Sequence, residues 1–115
     1  MAVSFNYLPE FARRAKVLAK KYHSFQKDYQ ILLDELEKNP FQGTSLGSNV
    51  YKVRMSITSK GHGKSGGARV LTYNLLKNGD DVTITLLTIY DKSEIANVSD
   101  AYIKGLVKEI NSNHS

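Results

Sequence analysis

Apolar positions recur along this chain with two different periods, and the point where one gives way to the other divides helices from strands. Val3–Tyr7, with Phe5 and Tyr7, reads as one brief strand, and Pro9 suits the first turn of a helix. In that helix Phe11, Ala15, Leu18 and Tyr22 recur at helical spacing, while Arg13, Arg14, Lys16, Lys20 and Lys21 lie mostly elsewhere. His23-Ser24 breaks the pattern, with Ser24 placed to cap a second helix. There Phe25, Tyr29, Leu32, Leu33 and Leu36 share one side, ending before Asn39-Pro40. The two segments predict an antiparallel helical hairpin with a common apolar side.

Phe41 to Asn49 is rich in Gly, Ser and Thr and reads as a loop. The period then falls to two. Tyr51, Val53, Met55 and Ile57 alternate with Lys52, Arg54 and Ser56, which sets Lys52 and Arg54 together on the opposite side of a strand. Residues 59–67, with four glycines, form no regular element. Ala68 to Leu76 resumes as a strand, Asn78-Gly79 is a tight-turn signal, and Asp81 to Tyr90 is apolar enough to be a central strand. Ser99 or Asp100 starts a last helix with Ile103, Leu106, Val107 and Ile110 as its stripe. The expectation is a single α+β domain over residues 1–115. A helical hairpin packs on a small antiparallel sheet, a short helix closes the chain, and part of the second sheet face stays open.

Composition narrows the class without changing that picture. A chain of 115 residues, 41% hydrophobic and 23% charged, fits one soluble domain. No apolar run approaches the ~18 residues of a membrane span. The first residues lack the charged and then apolar regions of a signal peptide. Cysteine is absent, which removes disulfides, thiolate nucleophiles and cysteine zinc sites. The expectation is a cytoplasmic protein with no membrane partner.

Charge changes the picture more. Between Lys38 and Gly79 there is no Asp or Glu, while Lys38, Lys52, Arg54, Lys60, Lys64, Arg69 and Lys77 contribute seven positive charges. The remainder carries nine bases against 11 acids, so the formal +5 is located in one sheet and its loop. Surplus Lys serves solubility in many proteins. A solvated sheet, however, ordinarily pairs bases with acids across its strands, because like charges opposite each other are unfavourable. A one-sign surface points to a polyanion, nucleic acid first.

Specific motifs are few. Gly63-Lys64-Ser65 resembles the tail of a nucleotide-binding P-loop, but Thr58 stands where its first glycine belongs and a strand follows instead of a helix. The loop still suits phosphate, through close backbone approach and the charges of Lys60 and Lys64. His23, His62 and His114 lie in separate elements without ligand spacing, so neither metal nor cofactor is expected. His62 is an RNA-contact candidate only by its place in the loop. The informative constellation is Lys52 and Arg54 on one strand, Lys60 and Lys64 in the loop, Arg69 on the next strand, and Tyr90 and Lys92 at the end of the third. RNA supplies its own nucleophile, the 2′-hydroxyl. Cleavage then needs in-line positioning, proton transfer and charge neutralisation, which Lys, Arg and Tyr can provide.

The segments Val50-Tyr51-Lys52-Val53-Arg54, Ser59 through Val70 with its Gly66-Gly67-Ala68-Arg69, and Leu86-Leu87-Thr88-Ile89-Tyr90-Asp91-Lys92-Ser93-Glu94 resemble the RelE/ParE superfamily of toxins, in its RelE- and HigB-like branch. The resemblance implies a RelE-like fold and a toxin of a bacterial type II toxin–antitoxin pair. Such a toxin is an mRNA endoribonuclease working on the translating ribosome without a metal, silenced by a cognate protein antitoxin. It implies ribosome, small-subunit rRNA and mRNA as partners. It also implies catalytic roles for Lys52, Arg54, Arg69, Tyr90 and Lys92, with Lys60, His62 and Lys64 as RNA contacts. The acid/base tyrosine or histidine that some members place near the C-terminus has no clear counterpart, leaving Tyr90, Tyr102 and His114 as candidates. Two alternatives stay open: a ParE-like toxin that inhibits gyrase, and a non-catalytic RNA- or ribosome-binding domain.

Overall fold

The computed structural model describes residues 2–61, 63 and 66–113, the side chains of 111–113 excepted. The elements run β1 (Val3–Tyr7), α1 (Pro9–Lys21), α2 (Phe25–Lys38), β2 (Thr44–Gly47), β3 (Val50–Met55), a short 3-10 turn (Thr58–Lys60), β4 (Ala68–Lys77), β5 (Asp81–Asp91) and α3 (Asp100–Asn113). The α+β class stands. Pro9 sits at the start of α1, where its missing N–H costs nothing. Ser24 does occupy the position before α2, but its hydroxyl donates to the Asp28 carboxylate instead of capping the helix backbone.

The sheet departs from the expectation in two ways. It has five strands in the order β1-β5-β4-β3-β2, and it is mixed, because β1 lies parallel to β5. The fifth strand, β2, falls inside the stretch read as loop. Its four residues are all exposed and rich in small polar types, so they carry no period-two signal. The turn that makes the hairpin is Ser48-Asn49, both at positive φ (52° and 68°). That geometry matches the right-handed twist of the flanking strands.

Two cores lie on the two faces. Under α1 and α2 are Phe11, Leu18, Phe25, Leu32 and Leu36, packed on Val53, Met55, Val70, Ile84 and Ile89. On the other face α3 lays Leu106 and Ile110 over Val50, Leu71 and Leu87, with Leu8 from the start of α1. α3 therefore covers the middle of the second face, leaving Arg54 exposed at one end of the sheet and Leu75 and Lys77 exposed at the other. Gly67 explains one glycine of the basic loop: a Cβ there would stand 2.1 Å from the Met55 carbonyl oxygen, so only glycine lets the strand begin so close to β3.

Candidate nucleic-acid interface

β3 alternates as the sequence dictates. Val53 and Met55 are buried under the helices, leaving Lys52 half-buried and Arg54 exposed on the α3 side. In the antiparallel register Arg54 lies opposite Arg69 of β4, and Arg69 lies opposite Tyr90 of β5. The three side chains thus make a row across three strands. In the neighbouring row Lys52 faces Leu71, which faces Thr88.

Tyr90 joins this row because of a bulge. Leu71 pairs with Thr88 but Thr72 pairs with Leu86, leaving Leu87 as an extra residue in β5. Before it, Val82, Ile84 and Leu86 point under α1 and α2; after it, Ile89 does. The parity of the strand is reversed, and Tyr90 turns to the α3 side. Without the extra residue its phenol would point into the helix-covered core.

The row is graded from rim to floor. Arg54 is exposed and Lys52 intermediate, whereas Arg69 and Tyr90 are only 6% and 3% exposed. Burial lowers the Arg69 pKa from its ordinary value, and the adjacent Arg54 charge lowers it further. An arginine so shifted is still a cation at neutral pH. Burial raises the Tyr90 phenol, partly offset by the Arg69 charge, so the phenol keeps its proton. The Arg69 guanidinium is also anchored by donating to the Ala68 carbonyl at 3.2 Å. Beside this row opens a cleft of about 220 Å³, with Lys52, Leu71 and Tyr90 from the sheet and Asn97, Asp100 and Ile103 from the start of α3 and its approach. It is a concave, partly apolar recess walled by a cation, a phenol and, from α3, the Asp100 carboxylate.

The remaining expected residues are placed differently. Lys60 does not join the row. Its ammonium is paired with Asp91 at 2.7 Å, lies 5.5 Å from the centre of the Tyr22 ring, and has a side chain only 10% exposed. Asp91 also accepts from the Tyr22 hydroxyl at 2.7 Å and from the Ser93 hydroxyl and N–H. Burial pushes its carboxyl up, but the hydrogen bonds from Lys60, Tyr22 and Ser93 outweigh this and hold it well below the usual carboxylate range. Lys60 is thus a fastening for the base of the loop, on the helical side of the sheet. Lys92 is exposed just beyond β5, and its backbone N–H donates to the Gly67 carbonyl at 3.1 Å, joining that turn to the start of β4. His62, Lys64 and His114 lie outside the described residues.

Tyr102 is committed elsewhere. Its hydroxyl bonds Glu10 at 2.5 Å and Thr88 at 2.9 Å, and the Arg14 guanidinium stands 5.8 Å over its ring. Glu10 in turn accepts from Arg13 and Arg14, and these bonds, Tyr102's first, lower its carboxyl to about 2. This clasp ties α3 to α1 and β5 and so fixes the wall of the cleft. Sequence reading missed Asn97, Asp100 and the Lys60–Asp91 pair. Asp100 was visible only as a helix start, and nothing in the order Tyr90-Asp91-Lys92 marks the middle residue as buried. Among the described residues no three His, Asp or Glu side chains gather as a metal-binding group. No protein-family model matches this chain, and no curated protein does.

Proposed function

We propose that the protein is a RelE/ParE-like toxin that cleaves mRNA on the ribosome through the Arg54–Arg69–Tyr90 row and the neighbouring Lys52. The observation that carries this reading is the in-register row: two arginines and a protonated phenol on one face, beside a cleft walled by a lysine. Like charges set directly opposite weaken a sheet by a few tenths of a kcal/mol to about 1 kcal/mol. A bound phosphate turns that repulsion into attraction. The resemblance of three segments to the family agrees with it.

In this reading the scissile phosphate lies over the rim, with Arg54 and Lys52 neutralising its oxygens and Arg69 held rigidly behind them. The 2′-oxygen attacks phosphorus in line and its proton passes to water on the open side. Charge on the phosphorane is met by the guanidinium groups. The bond to the 5′-oxygen breaks as Tyr90, neutral because it is buried, donates its proton to that leaving oxygen. The products carry a 2′,3′-cyclic phosphate and a 5′-hydroxyl. The base lodges in the recess toward Asn97. An acidic antitoxin would silence the site by covering the basic face or displacing α3.

Expression without antitoxin tests the proposal. Growth and translation are expected to stop, with new 3′ ends inside reading frames, and Arg54→Ala and Arg69→Ala to restore growth while remaining folded. Double-strand DNA breaks with intact mRNA would point instead to gyrase inhibition. Ribosome binding without any cut would point to a non-catalytic binding domain.

A further inference from the structure

The charge of α1 is not absorbed by the sheet site. The helix carries Arg13, Arg14, Lys16, Lys20 and Lys21 against Glu10 alone, a net +4, whereas α2 carries Lys27 and Lys38 against Asp28, Asp34, Glu35 and Glu37, a net −2. The near-balance of the chain outside its basic stretch therefore conceals two oppositely charged helices. At 100° per residue, Arg13, Lys16, Val17 and Lys20 fall within an arc of about 100°. All four are exposed, on the side of α1 opposite the buried Phe11 and Leu18. Val17, 59% exposed, sits among the three cations. Glu10 holds Arg13 at 2.6 Å and Glu94 holds Lys21 at 2.6 Å. Among the described residues neither Lys16 nor Lys20 has an ion pair.

We infer that this outer face of α1 is a second phosphate-backbone contact, one that docks the protein on folded, double-stranded RNA. The choice of RNA among polyanions rests on the function proposed above; the site itself does not. α1 packs on the face of the sheet opposite to the Arg54–Arg69–Tyr90 row, so one straight RNA helix cannot contact both. Used together, the two surfaces require a crevice with RNA on both walls. The α1 side reads no base: its flexible lysines and single small apolar residue suit the regular backbone of a helix, not a splayed strand. A single exposed valine supplies too little apolar area to hold a membrane surface.

The test is binding of an RNA duplex of about 30 base pairs, titrated from low to physiological salt, by the wild-type protein and by Lys16→Gln/Lys20→Gln. Both lysines are exposed, so the variant keeps its fold, and equal melting temperatures verify this. Losing two phosphate contacts is expected to weaken duplex binding roughly tenfold near 0.1 M salt and to flatten the log–log salt slope by about 1.8. The cleavage rate at saturating ribosomes stays unchanged. If wild type cuts no mRNA but the variant still loses duplex binding, the nuclease reading fails and this one stands. Unchanged duplex affinity and slope in the variant would overturn it. So would a loss confined to phosphatidylserine vesicles, which would reassign the face to a membrane surface.

Discussion

Tyr90 and Arg54 make different demands on the same row, and single substitutions separate them. Tyr90→Phe keeps the buried ring and removes only the proton that the proposed mechanism gives to the leaving oxygen. Single-turnover cleavage is expected to fall by about 10²-fold, within the range for a lost general acid, with ribosome binding unchanged. Arg54→Ala removes a charge lying opposite another charge. Its melting temperature is expected to hold or rise, by the equivalent of about 0.5 kcal/mol, while activity falls. A drop in both would mean that Arg54 serves the fold. The pattern of residues made Lys52, Arg54 and Arg69 legible, because period-two alternation alone sets their faces. The face that Tyr90 takes was not legible: Leu86-Leu87-Thr88-Ile89 shows no period-two break, so nothing in it marks the extra residue that turns Tyr90 toward the arginines.

The helices, β3, β4 and β5 were legible because their apolar residues are long, periodic and bounded by Pro, Asn-Gly and Ser signals. β2 was not, since an exposed edge strand of four residues, with Leu46 its single large apolar side chain, has no core to announce it. Lys60 was misplaced for a related reason: a loop lysine followed by glycines looks free until tertiary contact brings in Asp91, 31 residues away. That pair fastens the loop, β5 and α1. Asp91→Ala would leave the Lys60 ammonium without its counter-ion and the Tyr22 hydroxyl without its acceptor in a largely buried place. It is expected to cost about 3 kcal/mol, read by denaturant unfolding. Acid acts on the same fastenings. The folded pKa values of Glu10 and Asp91 are both depressed below their ordinary 4.5 and 3.8. Their stabilisation is therefore complete above those ordinary values and is lost as pH falls through the folded ones, about 2 for Glu10. Melting temperature should decline steeply below about pH 4.5, and Glu10→Gln should flatten part of that decline.

Taken whole, the molecule is a twisted sheet with a helical layer on one side and a single helix on the other, fastened by the Glu10–Tyr102 clasp and the Lys60–Asp91 pair. The clasp leaves α3 bordering the cationic row, whose Arg54 end stays exposed while Arg69 and Tyr90 are buried, and α1 presents its own charge outward from the opposite layer. Salt dependence belongs to this level, because the proposed phosphate contacts of both faces would sum in it. The proposed chemistry belongs to one face only. The most direct measurement is end-mapping of a defined mRNA incubated with purified protein and translating ribosomes. Cuts within the reading frame ending in 2′,3′-cyclic phosphate are expected, abolished in Arg69→Ala and strongly slowed in Tyr90→Phe although both still sediment with ribosomes. Intact mRNA with the wild-type protein, or undiminished cutting by both variants, would contradict the proposed function.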